Sequence, residues 1–152
     1  MMNRRLRGFT MVELLVAIVI IAVLLAVAVP SFREQLARRT LEGAANELSA
    51  DLQYVRTQAV SNNAATALAT TSTSQYTITS GATTYKTVTL DPALTITSGV
   101  TVSYDPLRGM ANAATLTLAS TRTAASLQLA TNAMGRVSLC SPSSSLKGYA
   151  TC

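Results

Sequence analysis

The chain opens on an unbroken apolar run from Leu14 to Val29, preceded by Arg7-Gly8-Phe9-Thr10-Met11-Val12-Glu13. As a helix, residues 9–29 span about 31 Å, enough to cross the hydrocarbon core of a bilayer. Pro30 ends the run, but helical spacing resumes at once. Leu41, Ala44, Ala45, Leu48, Leu52, Val55 and Ala59 recur every three or four residues and form one apolar stripe, with Arg38, Arg39, Glu42, Asp51 and Arg56 as polar positions around it. The pattern predicts one long helix from Thr10 to Ser61, its first half in a membrane and its second packed on a domain. Pro30 has no backbone donor and costs about 3 kcal/mol in an ordinary helix, so it marks an expected bend or weak point between the halves.

After Asn62-Asn63 the period falls to two. Gln75–Ile78, Tyr85–Leu90, Val100–Tyr104, Leu116–Leu118, Leu127–Leu129 and Val137–Leu139 alternate apolar with polar residues. Breaks at Ser80-Gly81, Asp91-Pro92, Ser98-Gly99 and Asp105-Pro106 separate them, as expected of short antiparallel strands. The Thr-rich stretch 66–84 alternates weakly and reads as weak strands, with disorder as the alternative. The predicted class is α+β: a long N-terminal helix packed on a small antiparallel β-domain. The expected divisions are a leader (1–8), a membrane-spanning half-helix (9–29), an amphipathic half-helix (30–62) and a β-rich globular domain (63–152).

Charge sharpens the N-terminal reading. Arg4, Arg5 and Arg7 precede the apolar run and predict a cytoplasmic N-terminus, with the domain on the far side of the inner membrane. A conventional secretory signal is cut after its apolar region; here the small residue, Gly8, stands before it, so the anchor would be retained. Of the twelve basic residues three lie in the leader, so a cut leaves nine against seven acidic ones and a nearly balanced mature chain. Glu13 is the outlier. A carboxylate inside a membrane segment costs roughly 2.5–3.5 kcal/mol on insertion scales and marks function, with an amine freed before Phe9 as its nearest compensating charge.

Catalytic chemistry has little to draw on. The sequence contains no His, which removes the ordinary Ser-His and Cys-His pairs and most mixed zinc sites. Its scattered glycines form no phosphate-cradling loop. The expectation is a protein that is not an enzyme and takes no metal or cofactor. Cys140 and Cys152 are the only cysteines and belong to the segment expected in an oxidising compartment. A bridge between them is expected, two free thiols being the alternative.

The Gly8-Phe9-Thr10-Met11-Val12-Glu13 context before the apolar run resembles the class III signal of type IV pilins and of type II secretion pseudopilins. That resemblance implies cleavage between Gly8 and Phe9 by a prepilin peptidase and N-methylation of Phe9 by the same class of enzyme. It also implies an assembly role for Glu13, pairing with the Phe9 amine of a neighbouring subunit, with support from Thr10. The partners it implies are other minor and major pilins and the assembly platform in the inner membrane, from which the subunit would pass into a filament at the cell surface.

Tyr104-Asp105-Pro106-Leu107-Arg108-Gly109 and Asn132-Ala133-Met134-Gly135-Arg136-Val137-Ser138-Leu139-Cys140 resemble the GspH/FimT/FimU group of minor pilins and pseudopilins. Membership would imply a subunit that primes or caps pilus assembly, with consequences for twitching motility and adhesion. A pseudopilin of a type II secretion system is one alternative. Some FimT proteins bind double-stranded DNA for natural transformation through a Gly-Arg-x-Arg motif, which makes DNA uptake another. Gly135 and Arg136 match that motif, while Ser138 replaces its second arginine. Arg136, Arg108, Arg122 and Lys147 would form the DNA-binding patch if the fold gathers them, and four phosphate contacts would give a log–log salt slope of about −3.6.

Overall fold

The computed structural model describes residues 9–142 and 146–152. The leader, with the expected cut after Gly8, lies outside the described residues. Helix α1 (Met11–Ser61) runs unbroken through Pro30, close to the predicted bounds. The chain divides into two compact units, the first ending at Gln35 and the second covering Leu36–Cys152. In the first, an 18-residue window of the helix has a mean hydropathy of 3.2 and none of it is buried, so it is long and apolar enough to cross a membrane.

Among the described residues, the second unit holds the rest of α1 and eight strands in two four-stranded antiparallel sheets. The strands are β1 (Thr66–Ser72), β2 (Gln75–Ser80), β3 (Thr83–Thr89), β4 (Leu94–Ile96), β5 (Thr101–Tyr104), β6 (Ala114–Ser120), β7 (Ser126–Thr131) and β8 (Val137–Cys140). The first sheet has the order β3-β2-β1-β5 and the second β4-β6-β7-β8. After the β1-β2-β3 meander the chain therefore places β4 in the second sheet, returns β5 to the first, and finishes with β6, β7 and β8 in the second. Leu41, Ala45, Leu48, Leu52, Val55 and Ala59 on the helix join Leu68, Tyr76, Ile78, Val102 and Tyr104 of one sheet and Leu116, Leu118, Leu127 and Leu129 of the other in one apolar cluster.

The Thr-rich stretch follows the strand reading rather than the disordered alternative, while one helix residue departs from the sequence reading. Within that stretch β1 is a central strand paired with both β2 and β5. Only Leu68 is a large apolar residue there; Thr66 and Thr70 fill the other inward positions. Their hydroxyls donate to the carbonyls of Ala64 (3.1 Å) and Val100 (3.2 Å), and that pairing makes their burial tolerable. Asp51, expected among the polar positions flanking the stripe, is instead buried on the core face between Leu48 and Leu52. It accepts the Tyr76 hydroxyl at 2.8 Å and the Lys86 ammonium at 2.8 and 2.9 Å. Lys86 also reaches Glu47 at 3.4 Å, so β2 and β3 are tied to α1 through one carboxylate and its neighbour.

Cys140 and Cys152 are bridged, twelve residues apart in sequence. The closed loop lies at edge strand β8, where Ser141 N–H donates to the Ala150 carbonyl at 2.8 Å, and its Leu146 is buried in the core. Chain entropy assigns such a loop about 3 kcal/mol. Leu146 and Tyr149 also pack on the core, so part of that ordering is expected to survive reduction. Cys140→Ser/Cys152→Ser is expected to lose about 2 kcal/mol in urea unfolding of the full-length chain in detergent; a midpoint equal to the parent's would show the loop is held by packing alone.

Candidate functional site

Two places gather the residues singled out above. At the start of α1 the Glu13 backbone N–H donates to Thr10 Oγ1 at 3.2 Å, and the Thr10 N–H points back to Glu13 Oε2 at 3.5 Å. Thr10 is thus the N-cap, and Thr10-x-x-Glu13 makes the reciprocal arrangement that satisfies two otherwise orphaned helix donors. The cap holds the carboxylate within one turn of Phe9, at the end of the helix where the backbone dipole favours negative charge.

The second place is built by the two turns quoted from the C-terminal half. In the first turn, Asp105 Oδ2 accepts the N–H groups of Leu107 (3.2 Å) and Arg108 (3.1 Å), and the Gly109 N–H donates to the Asp105 carbonyl (2.9 Å). In the second, Asn132 Oδ1 accepts the Arg136 N–H at 2.9 Å and the Asn132 carbonyl accepts the Gly135 N–H at 2.9 Å. The Ala111 N–H donates to the Ala133 carbonyl at 3.2 Å and joins the two.

Gly109 and Gly135 both have positive φ, +59° and +73°, and both lie against α1. A Cβ on Gly135 would meet the Gly109 carbonyl oxygen at 2.4 Å, Arg56 Nε at 3.3 Å and Tyr104 Cε1 at 3.3 Å. One on Gly109 would meet Arg56 Nε at 3.0 Å and Val60 Cγ2 at 3.2 Å. The Arg56 side chain therefore lies across the backbones of both turns. Burial pushes the Tyr104 hydroxyl above the usual phenol range, and the nearby Arg56 charge partly offsets that. The Tyr104 and Thr131 hydroxyls lie side by side without forming a hydrogen bond of good geometry.

An open groove of about 590 Å³ runs between the last turns of α1 and the β7–β8 turn, lined by Gln53, Arg56, Thr57, Val60, Gly135 and Arg136 among others. Neither guanidinium is paired with a carboxylate among the described residues.

The four basic residues suggested for DNA are split by the topology. Arg108 and Arg136 occupy the joined turns at one end of β7, whereas Arg122 lies in the β6–β7 turn at the other end. Lys147 belongs to the loop that leaves β8 at that far end, where Ser141 Oγ donates to the Ser126 carbonyl. The six residues of β7 hold the two ends about 20 Å apart. Ser138 gives no second cation; its hydroxyl donates to the Ala130 carbonyl within the sheet. The cation that joins Arg136 in the groove is Arg56, which the sequence presents only as an exposed helix charge. Its one sequence signal was indirect: two turn glycines that something must closely approach.

The prokaryotic N-terminal methylation motif matches residues 3–29, and the model of the type II transport protein GspH family matches residues 44–146. No curated protein matches the chain. Two crystal structures of the Pseudomonas aeruginosa (strain PAO1) type IV minor pilin FimU resemble it in fold. The P21 form gives a TM-score of 0.59 at 23% identity, covering 74% of this chain and 96% of that one. For the P65 form the TM-score is 0.56 at 24% identity, with 72% and 98% covered. Both matches show likeness of fold over about three-quarters of this chain. With its family match spanning most of the chain, and the methylation motif ahead of it, this protein belongs to the GspH family and carries the α+β pilin fold.

Proposed function

We propose that this protein is a minor pilin of a type IV pilus, a structural subunit that enters the filament through its N-terminal helix and primes or caps assembly. The observation that carries this reading is Glu13, a carboxylate fixed by Thr10 one turn into a helix of membrane length, beside the residue that the methylation motif would make the mature terminus. In a low-dielectric surround an unmatched carboxylate is strongly disfavoured, so a subunit gains most when its Glu13 meets the free amine of a neighbour's Phe9. Prepilin peptidase would free that amine by cutting after Gly8, and the other pilins would supply the neighbouring helices.

Glu13→Ala, expressed in the native host, is expected to remain in the inner membrane at parental level and be cleaved, while its amount in sheared filaments falls about tenfold or more. Thr10→Val, which loses the cap but keeps the carboxylate, should incorporate at an intermediate level. Parental incorporation of Glu13→Ala would rule out this electrostatic role. A type II secretion pseudopilin would share helix and processing, and it would be told apart by loss of secretion rather than of pili on deletion.

DNA capture is supported by the Arg56, Arg108 and Arg136 cluster and weakened by the distance to Arg122 and Lys147. A mobility-shift series across salt with Arg136→Ala tests it directly. Three contacts would give a log–log slope of about −2.7, and no shift at low salt would leave assembly as the role.

A further inference from the structure

We infer that the groove between the last turns of α1 and the β7–β8 turn is a docking site for an extended acidic segment of a partner protein, with Arg56 and Arg136 as its carboxylate-recognising pair. Two guanidiniums line one cleft, and no carboxylate of the described chain neutralises either. The nearest acid in these turns, Asp105, already caps its own turn through the Leu107 and Arg108 amides. The Arg56 side chain is exposed and passes close over Gly109 and Gly135, so its guanidinium lies beside the turn that carries Arg136. The planar fork of an arginine matches a carboxylate bidentately.

The rest of the surface selects peptide over nucleic acid. Gln53, Thr57 and Ser61 offer hydrogen bonds along one wall, and Val60 and Val137 offer apolar contact. Around these lie Leu107, 79% exposed, and Met134, 69% exposed, on the two joined turns. Exposed apolar side chains rimming paired cations suit a chain that alternates acidic and apolar residues, and they add nothing to a phosphate backbone. A groove of about 590 Å³ also falls in the range of small-ligand and peptide pockets.

The test uses the full-length chain in detergent, screened against a random hexapeptide display library. Enriched peptides are then resynthesised with a fluorophore, with and without Asp→Asn and Glu→Gln replacement. Enrichment of peptides with at least one acid next to apolar residues is expected. Their affinity should fall about tenfold on amidation and by a similar factor in Arg136→Gln, with a larger loss in Arg56→Gln/Arg136→Gln. Arg136→Gln alone suffices if the double variant unfolds, because Arg136 is exposed and its fold contacts are through the backbone.

Absence of enrichment, enrichment of peptides without acids, or affinities untouched by Arg136→Gln would overturn the inference. So would a short DNA duplex that displaces the peptides and depends on the same arginines, which would assign the site to nucleic acid. The inference names a partner class for the proposed pilus subunit. Its failure is separable from failure of that reading, since peptide binding is measured on the isolated chain and incorporation of Glu13→Ala on filaments.

Discussion

Gly135→Ala is expected to destabilise the β-domain by about 2–5 kcal/mol. Two costs add. An L-residue at φ +73° is strained by about 1–2 kcal/mol. The new methyl would also sit 2.4 Å from the Gly109 carbonyl oxygen, a backbone atom in a hydrogen-bonded turn that cannot swing aside like a side chain. Forcing the turns apart disturbs the Ala111–Ala133 hydrogen bond and the Arg56 contact, in the range of 1–3 kcal/mol for overpacking. Gly99→Ala is the matched control, with nearly the same φ of +74° but nothing within 4 Å of its would-be Cβ. It should lose only the conformational part, about 1–2 kcal/mol. Urea unfolding of both variants separates the terms, and equal losses would show that the contact at Gly135 relaxes freely.

Asp51→Ala should cost about 2–4 kcal/mol, chiefly because it leaves the Tyr76 hydroxyl, on a residue 1% exposed, without its acceptor. Lys86 is 40% exposed at its side chain and can rehydrate, so its share is the smaller one. The same group of residues sets an alkaline limit. Burial, then the hydrogen bond to Asp51, raises the Tyr76 hydroxyl well above the usual phenol range. The hydrogen bond to Asp51 raises Lys86, against a smaller lowering by burial.

Both groups therefore hold their protons more tightly folded than unfolded. Their contribution is complete below the unfolded values, about pH 10, and declines as pH rises through the folded ones. Unfolding free energy should be flat in this respect between about pH 7 and 9 and fall above about pH 10. In Asp51→Ala the alkaline slope should be shallower. An unchanged slope would place the alkaline sensitivity in other groups.

The helix was legible in the sequence because its apolar spacing is long and regular, and its bounds at Thr10 and Ser61 sit beside a capping residue and an Asn-Asn turn. Six strands were legible because Leu, Val, Ile and Tyr alternate with Thr or Ser. β1 was doubtful because Thr and Ala occupy most of its positions, and the acceptor that lets Thr70 be buried, the Val100 carbonyl, lies thirty residues away in sequence. β4 escaped notice because three residues are too few to establish a period. Asp51 was misjudged because helical charges are ordinarily solvated, and the partners that bury it, Tyr76 and Lys86, lie tens of residues away. The cysteine pairing and the glycine turns were readable, but their relation to Arg56 was not.

The exchange of strands between sheets has a further consequence for how the domain comes apart. β4 belongs to the second sheet and β5 to the first, so each sheet contains strands on both sides of the other's in sequence. Neither can peel away as a continuous piece of chain without dragging an element of its neighbour with it. Hydrogen exchange at Leu68 and Leu129, buried in different sheets, should then report the same opening free energy. Under an applied load the domain is then expected to unfold in one step rather than sheet by sheet.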